Sequence, residues 1–294
     1  MTEADRRHRL GLLMVTAGTV FWSAAGYFTR LITVDSWTLV FWRSVFGALT
    51  ALLVLAVQTR GRVLPAFAAL RGPGLAFSLV TALGMMAFLS AMRLTTVAHV
   101  AIIYAAIPFV AAAMGWLVLR ERVGPATLAA SGLASAGVAL TVGAGWGEGD
   151  PLGDLLAVAM TLLMGVNIVL ARRTRSIPVI PSACLASVLA MLMALAFAAP
   201  ASAGPADLVD LALFGASNTG LGLILVTAGS KLIPAVGTAL IMSLEAPLAP
   251  LLVWLAFGER PRPTTILGGA LVMAAVVGHV ALSARAGQGA ARQA

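Results

Sequence analysis

Glu245 stands inside the apolar stretch Ser243-Leu-Glu-Ala-Pro-Leu-Ala-Pro-Leu-Leu-Val-Trp-Leu-Ala-Phe257, and it is the only acidic residue deep in such a run. A carboxylate in those surroundings can hold an amine or carry a proton. Arg43, between Trp42 and Ser44, can hold a carboxylate or pair with Glu245. Its place near one end of an apolar run favours a third role, in which the long stem lets the guanidinium reach the nearby interface. Trp22, Ser23, Thr81, Tyr104, Asn167, Asn218 and Thr238 add hydrogen-bonding groups to apolar runs, and Met85, Met164 and Met242 add adaptable apolar surface. His99 and His279 are potential proton sites. His279, close to the end of the last run, reads as an interface residue. The one cysteine, Cys184, permits no intrachain disulfide and no thiolate cluster, and no metal or cofactor is expected.

Elements made for lipid must position these groups. Hydrophobic residues make up 60% of the 294 and charged ones 10%, against roughly a quarter charged in a soluble domain. A helix needs about 20 apolar residues to cross the hydrocarbon. Ten runs qualify, at about 10–31, 37–57, 73–93, 97–119, 124–144, 152–171, 179–199, 208–229, 234–257 and 263–283. The run after Arg6-Arg7-His8-Arg9 is too long for a cleaved leader and reads as a first helix. With the N-terminus inside, fourteen of the nineteen Lys and Arg residues fall in cytoplasmic segments, which places both termini in the cytoplasm. The net charge of +8 is therefore topological, and nucleic acid is not an expected partner. Abundant Ala, with Arg almost wholly replacing Lys, suggests a GC-rich bacterial genome and hence the bacterial inner membrane.

The chain repeats itself. Residues 104–122, YAAIPFVAAAMGWLVLRER, echo 242–260, MSLEAPLAPLLVWLAFGER, so that Trp116 falls on Trp254 and Glu121-Arg122 on Glu259-Arg260, with Pro108 one residue out of register with Pro247. Two units of five helices follow, residues 1–145 and 146–294. The odd number inverts the second unit and carries Glu259-Arg260 to the outer face. Prolines in corresponding helices mark the centre of a transporter, and Pro108 and Pro247 are read as its hinges.

The proline-bearing fourth and ninth helices, each ending in Glu-Arg, resemble the drug/metabolite transporter superfamily, EamA type, and SLEAPLAPLLVWLAFGE (243–259) is the most similar segment. Within it the chain looks closest to bacterial exporters of amino acids, including the aromatic ones. The resemblance implies an all-α integral membrane protein of ten helices, two inverted five-helix repeats around a central cavity lined by helices 1, 3, 4, 6, 8 and 9. Helices 5 and 10 would be peripheral. His99 and Tyr104 are not typical of the family.

Helical spacing aligns the candidates. Trp22 shares a stripe with Thr19, Ser23 and Gly26; Thr81 and Met85 share one with Ser78 and Phe88; Thr238, Met242, Glu245 and Ala249 lie on one face of the ninth span. With Tyr104, Met164, Asn167 and Asn218 they compose a mixed cavity suited to an amphipathic solute, an amino acid foremost. Small residues at four-residue spacing (Ala126, Ala130, Ala134; Ala270, Ala274, Gly278) are expected to pack helices 5 and 10 against protein. Besides the bilayer and the solute no partner is implied; a monomer is expected, a dimer being the alternative.

Two other functions compete. A channel or facilitator would want acidic rings or a filter-like loop, and neither is present. An intramembrane serine protease would pair Ser217, in a Gly-Ala-Ser-Asn stretch, with His279. Counted from the span ends at 1.5 Å per residue, their depths differ by roughly 10 Å, too far for the contact such a pair needs. Enzymatic chemistry is not expected.

Overall fold

The structure, a computed structural model, describes residues 3–95, 100, 103–121, 123–142, 150–174, 176–258 and 263–293. His99, Trp146 and Glu259-Arg260 lie outside them. The described residues form helices joined by short turns. In chain order these are α1 (Glu3–Ser23), α2 (Ala25–Leu31), α3 (Ser36–Gln58), a short α4 (Val63–Ala68), α5 (Gly72–Leu94), α6 (Ile107–Met114), α7 (Pro125–Val142), α8 (Pro151–Arg173), α9 (Val179–Leu195), α10 (Pro205–Phe214), α11 (Leu223–Ser230), α12 (Ala235–Met242), α13 (Glu245–Phe257) and α14 (Pro263–Gln293). Wider π-helical turns follow α6 (Gly115–Leu119) and join α10 to α11 (Gly215–Gly222).

Six of the expected spans are helical segments long and apolar enough to cross a bilayer. The other four, Ile107–Leu119, Pro125–Leu140, Val179–Leu195 and Ile266–His279, are apolar but shorter. Many large apolar side chains face outward, Leu53, Val57, Leu117 and Leu255 among them, as lipid-facing surface requires.

The spans expected to be continuous are interrupted. The first bends at Ala24, between α1 and α2. The fourth breaks at Ala105-Ala106 and the ninth at Ser243-Leu244, positions that match in the internal repeat. Each break lies just before its proline, because the proline ring clashes with the carbonyl four residues back and offers no N–H to it. At the first break the Phe109 N–H turns to the Ala106 carbonyl at 3.0 Å, and the Ala105 carbonyl it would have met accepts from the hydroxyl of Ser135 on α7, at 2.6 Å.

Helix contacts cross between the two halves. α7 packs on α14, α5 on α8, α3 on α9, α1 on α11, and α6 on α12. Exchanging each first-half span with the one five places later turns every pair in that list into a pair also in it. The α7–α14 seam is close: a Cβ added at Gly137 would stand 2.6 Å from the Gly268 carbonyl oxygen. It uses buried Ser131, Ala134 and Val138 against Val272, Ala275 and Val276. The expected four-residue stripes are corrected here, since Ala126, Ala270 and Ala274 are exposed. A long seam alternates three- and four-residue steps, and a strict step of four drifts off it.

Candidate functional site

The breaks in the two repeat-related helices meet. Tyr104, at the first, lies within electrostatic reach of Glu245, the first residue after the second. Glu245 is half-buried and makes no hydrogen bond or ion pair among the described residues. A carboxylate held in a membrane span costs roughly 2.5–3.5 kcal/mol on insertion scales, so leaving it without a fixed partner suits a site that takes a solute cation or a proton.

Around this junction the amides and hydroxyls form two cross-helix locks. The Trp22 indole N–H donates to the Asn218 carbonyl oxygen at 3.1 Å, and the Asn218 amide donates back to the carbonyls of Phe21 and Trp22 at 3.4 and 3.3 Å. The bend at Ala24 leaves the Phe21 carbonyl a bond from the Ala24 N–H at 3.3 Å, and the Asn218 amide adds a donor to the Phe21 and Trp22 carbonyls. Gly222 permits the approach, because a Cβ there would lie 2.8 Å from the indole. The second lock joins α8 to α5: the Asn167 amide donates to the Thr81 hydroxyl at 3.0 Å, and that hydroxyl donates to the Phe77 carbonyl at 2.8 Å. The Asn167 side-chain carbonyl oxygen is buried with no hydrogen-bond partner among the described residues. Trp22 and Met85 pack on one apolar cluster with Ala183, Ala186 and Leu223, while Met164 and Tyr104 pack against the main core.

Other candidates are placed differently. Thr238 and Met242 are fully buried in α12, and the Thr238 hydroxyl donates to the Pro234 carbonyl. The face they were to share with Glu245 is interrupted by the break at 243–244. Ser23 is also fully buried, its hydroxyl donating to Thr19. Pro108 is buried within the core and Pro247 packs against Gly269 on α14. Ser217 donates to the Leu213 carbonyl at 2.7 Å; no hydrogen bond joins it to His279, which sits against Gly237. The Arg43 guanidinium lies 5.6 Å over the Phe214 ring, and its Nε is buried with no hydrogen-bond partner among the described residues.

A second polar grouping, read in the sequence only as span-end charges, closes the end of the bundle where the chain begins. Glu121 accepts from Arg172 Nε at 3.0 Å and from the Ala235 backbone N–H at 3.3 Å. Arg172 also donates to the Lys231 carbonyl at 2.9 Å. Lys231 donates to the Ile177 carbonyl, and burial holds its ammonium below the ordinary range. One carboxylate thus ties the end of the fourth span to the end of α8 and the start of α12.

Comparison with known proteins follows this geometry. The sequence profile of the EamA-like transporter family matches twice, over residues 9–143 and 151–280. The chain belongs to the EamA-like transporter family. The two matches divide where the contacts exchange, so each half of this EamA-like protein carries one family unit. No curated protein sequence matches. A crystal structure of another protein, 20% identical, superposes with a TM-score of 0.81 over 94% of this chain and 97% of that one; the likeness shows the fold. As a member of this family the protein is a multi-pass membrane transporter.

Proposed function

We propose that this EamA-like protein is a secondary transporter exporting small amphipathic metabolites, amino acids with aromatic or apolar side chains foremost, across the bacterial inner membrane. It works by alternating access between inverted five-helix halves, residues 1–145 and 146–294, within a ten-helix bundle. The observation that carries the reading is that two broken, repeat-related helices pack on one core at Tyr104 and Leu244, beside a Glu245 with no hydrogen bond or ion pair among the described residues. Breaks of this kind supply binding groups and hinges together. Glu245 and the free acceptor of Asn167 receive the solute's ammonium, while Trp22, Met85 and Met164 receive its apolar part. Pro108 and Pro247 let the half-helices swing. Glu121 and Arg172 latch the N-terminal end, which is the cytoplasmic one by the distribution of basic residues. The exchange of helix pairs between halves supports the two-fold design.

The test is uptake into proteoliposomes, screened over amino acids, quaternary amines and sugars, with and without a pH gradient. Aromatic amino acids are expected to be taken up faster than the other classes. Movement of sugars alone, or of nothing that depends on Glu245, would overturn the assignment.

A further inference from the structure

Beyond the central junction, a cavity of about 340 Å³ opens at the N-terminal end of the bundle. None of Trp22, Asn167 or Glu245 lines it. Its walls come from five places in the chain: α1 with His8, the turn into α7 with Glu121, Gly124 and Thr127, α8 with Arg172, the start of α12 with Pro234 and Gly237, and α14 with His279. This volume lies in the range of small-molecule pockets.

The polar groups on these walls are unequal in kind. The one carboxylate among them, Glu121, has each oxygen engaged, one by Arg172 and the other by the Ala235 N–H. Arg172 uses Nε and one terminal nitrogen, which leaves its other terminal nitrogen without an acceptor among the described residues. The rings of His8 and His279 and the hydroxyl of Thr127 likewise make no hydrogen bond there. The pocket therefore offers donors to a visitor and has its acceptors occupied, with Asp5 the other acid near His8.

The geometry points to a second binding site here, for a small anion bearing a carboxylate or phosphate, held by Arg172, His8, His279 and Thr127. An anion in it touches α1, α7, α8 and α14 at once. These elements must part for this end to open, so the anion binds the closed form and favours it. The same chemistry is carried by soluble organic acids and phosphate and by anionic lipid headgroups. Affinity rises as the pH falls, since both imidazoles then carry charge toward the ligand while Arg172 and Glu121 stay paired.

The experiment measures binding and does not depend on transport. Purified full-length protein in nanodiscs of phosphatidylcholine alone is titrated with citrate and with inorganic phosphate at constant ionic strength. Thermal stability is followed at pH 6 and pH 8. A saturable rise in melting temperature is expected, stronger at pH 6. The His8→Gln/His279→Gln double variant removes the pH dependence, and Thr127→Glu, which puts a carboxylate in the pocket, weakens the apparent affinity at least about tenfold. In nanodiscs containing phosphatidylglycerol, competition with citrate assigns the site to lipid, and unchanged binding assigns it to a soluble anion. A rise in stability that never saturates, or that is the same in all three proteins, overturns the site whatever the transported solute proves to be.

Discussion

Replacing Glu121 by Gln tests the latch. In the parent, the carboxylate holds Arg172 Nε at 3.0 Å and the Ala235 N–H at 3.3 Å, with the two charged side chains 25% and 19% exposed. Hydrogen bonds to charged groups are worth about 1.5–3 kcal/mol each, less where water screens them. The amide of Gln keeps one acceptor and loses the charge. The closed form should then lose about 1–2 kcal/mol, a factor of roughly 5–30 in its population relative to the open one. The readout is a cysteine in place of Val236, which is 4% exposed at the start of α12, with the native Cys184 changed to Ala. Maleimide modification in proteoliposomes reports how often this end opens. Glu121→Gln should accelerate it by about the factor above, whereas Arg172→Lys, which keeps the charge and loses the fork, should fall between. A rate within about twofold of the parent would mean that the ion pair contributes nothing to closure, as exposed pairs often do not.

The remaining predictions concern the centre and the seam. Glu245→Gln should fold normally and lower amino-acid transport about tenfold or more, read by uptake beside equilibrium binding. Pro247→Ala returns an N–H to the Ser243 carbonyl and should change turnover severalfold with a smaller effect on binding. Trp22→Phe and Asn218→Leu each remove one side chain's hydrogen bonds to the other residue's backbone and should each cost about 1–2 kcal/mol, close to additively; a double variant that loses no more than either single one in thermal or denaturant unfolding would refute two separate bonds. Gly137→Val forces the α7–α14 seam apart and should cost about 1–3 kcal/mol, while Ala274→Leu, on an exposed position, should change stability by under about 0.5 kcal/mol.

Hydropathy made the ten apolar runs legible, because lipid permits few other sequences. It could not show where a run breaks, although Pro108 and Pro247 announced that the fourth and ninth would. The break falls N-terminal to each proline, at the carbonyl its ring displaces, so that Thr238 and Met242 ended up in a different half-helix from Glu245. The π-helical turn at Gly215–Gly222 was signalled only by the density of glycine. Trp22, Asn218, Thr81 and Asn167 were recognisable as polar groups in apolar surroundings. That they pair, Trp22 with Asn218 and Thr81 with Asn167, depends on which helices touch, and spacing within one helix says nothing of its neighbour. Arg172 was visible as a span-end charge that the positive-inside pattern already accounted for, and Glu121 as part of the repeated Glu-Arg end. The ring of Phe214, which the Arg43 guanidinium lies over, belongs to another helix, so spacing around Arg43 gave no sign of it.

The seam between α7 and α14 also bears on how the chain is made. A ribosome delivers α7 long before α14, and the glycine at position 137 has no intended neighbour until the last hydrophobic segment has left the translocon. During that interval the early half rests in the bilayer with a close-fitting surface against acyl chains, which fill a groove cut for backbone poorly. Arrival of α14 is then the event that consolidates this face. A nascent protein truncated before Gly268 would present an unfinished groove to the membrane's proteases, and synthesis in two separate pieces should succeed only when both are inserted together.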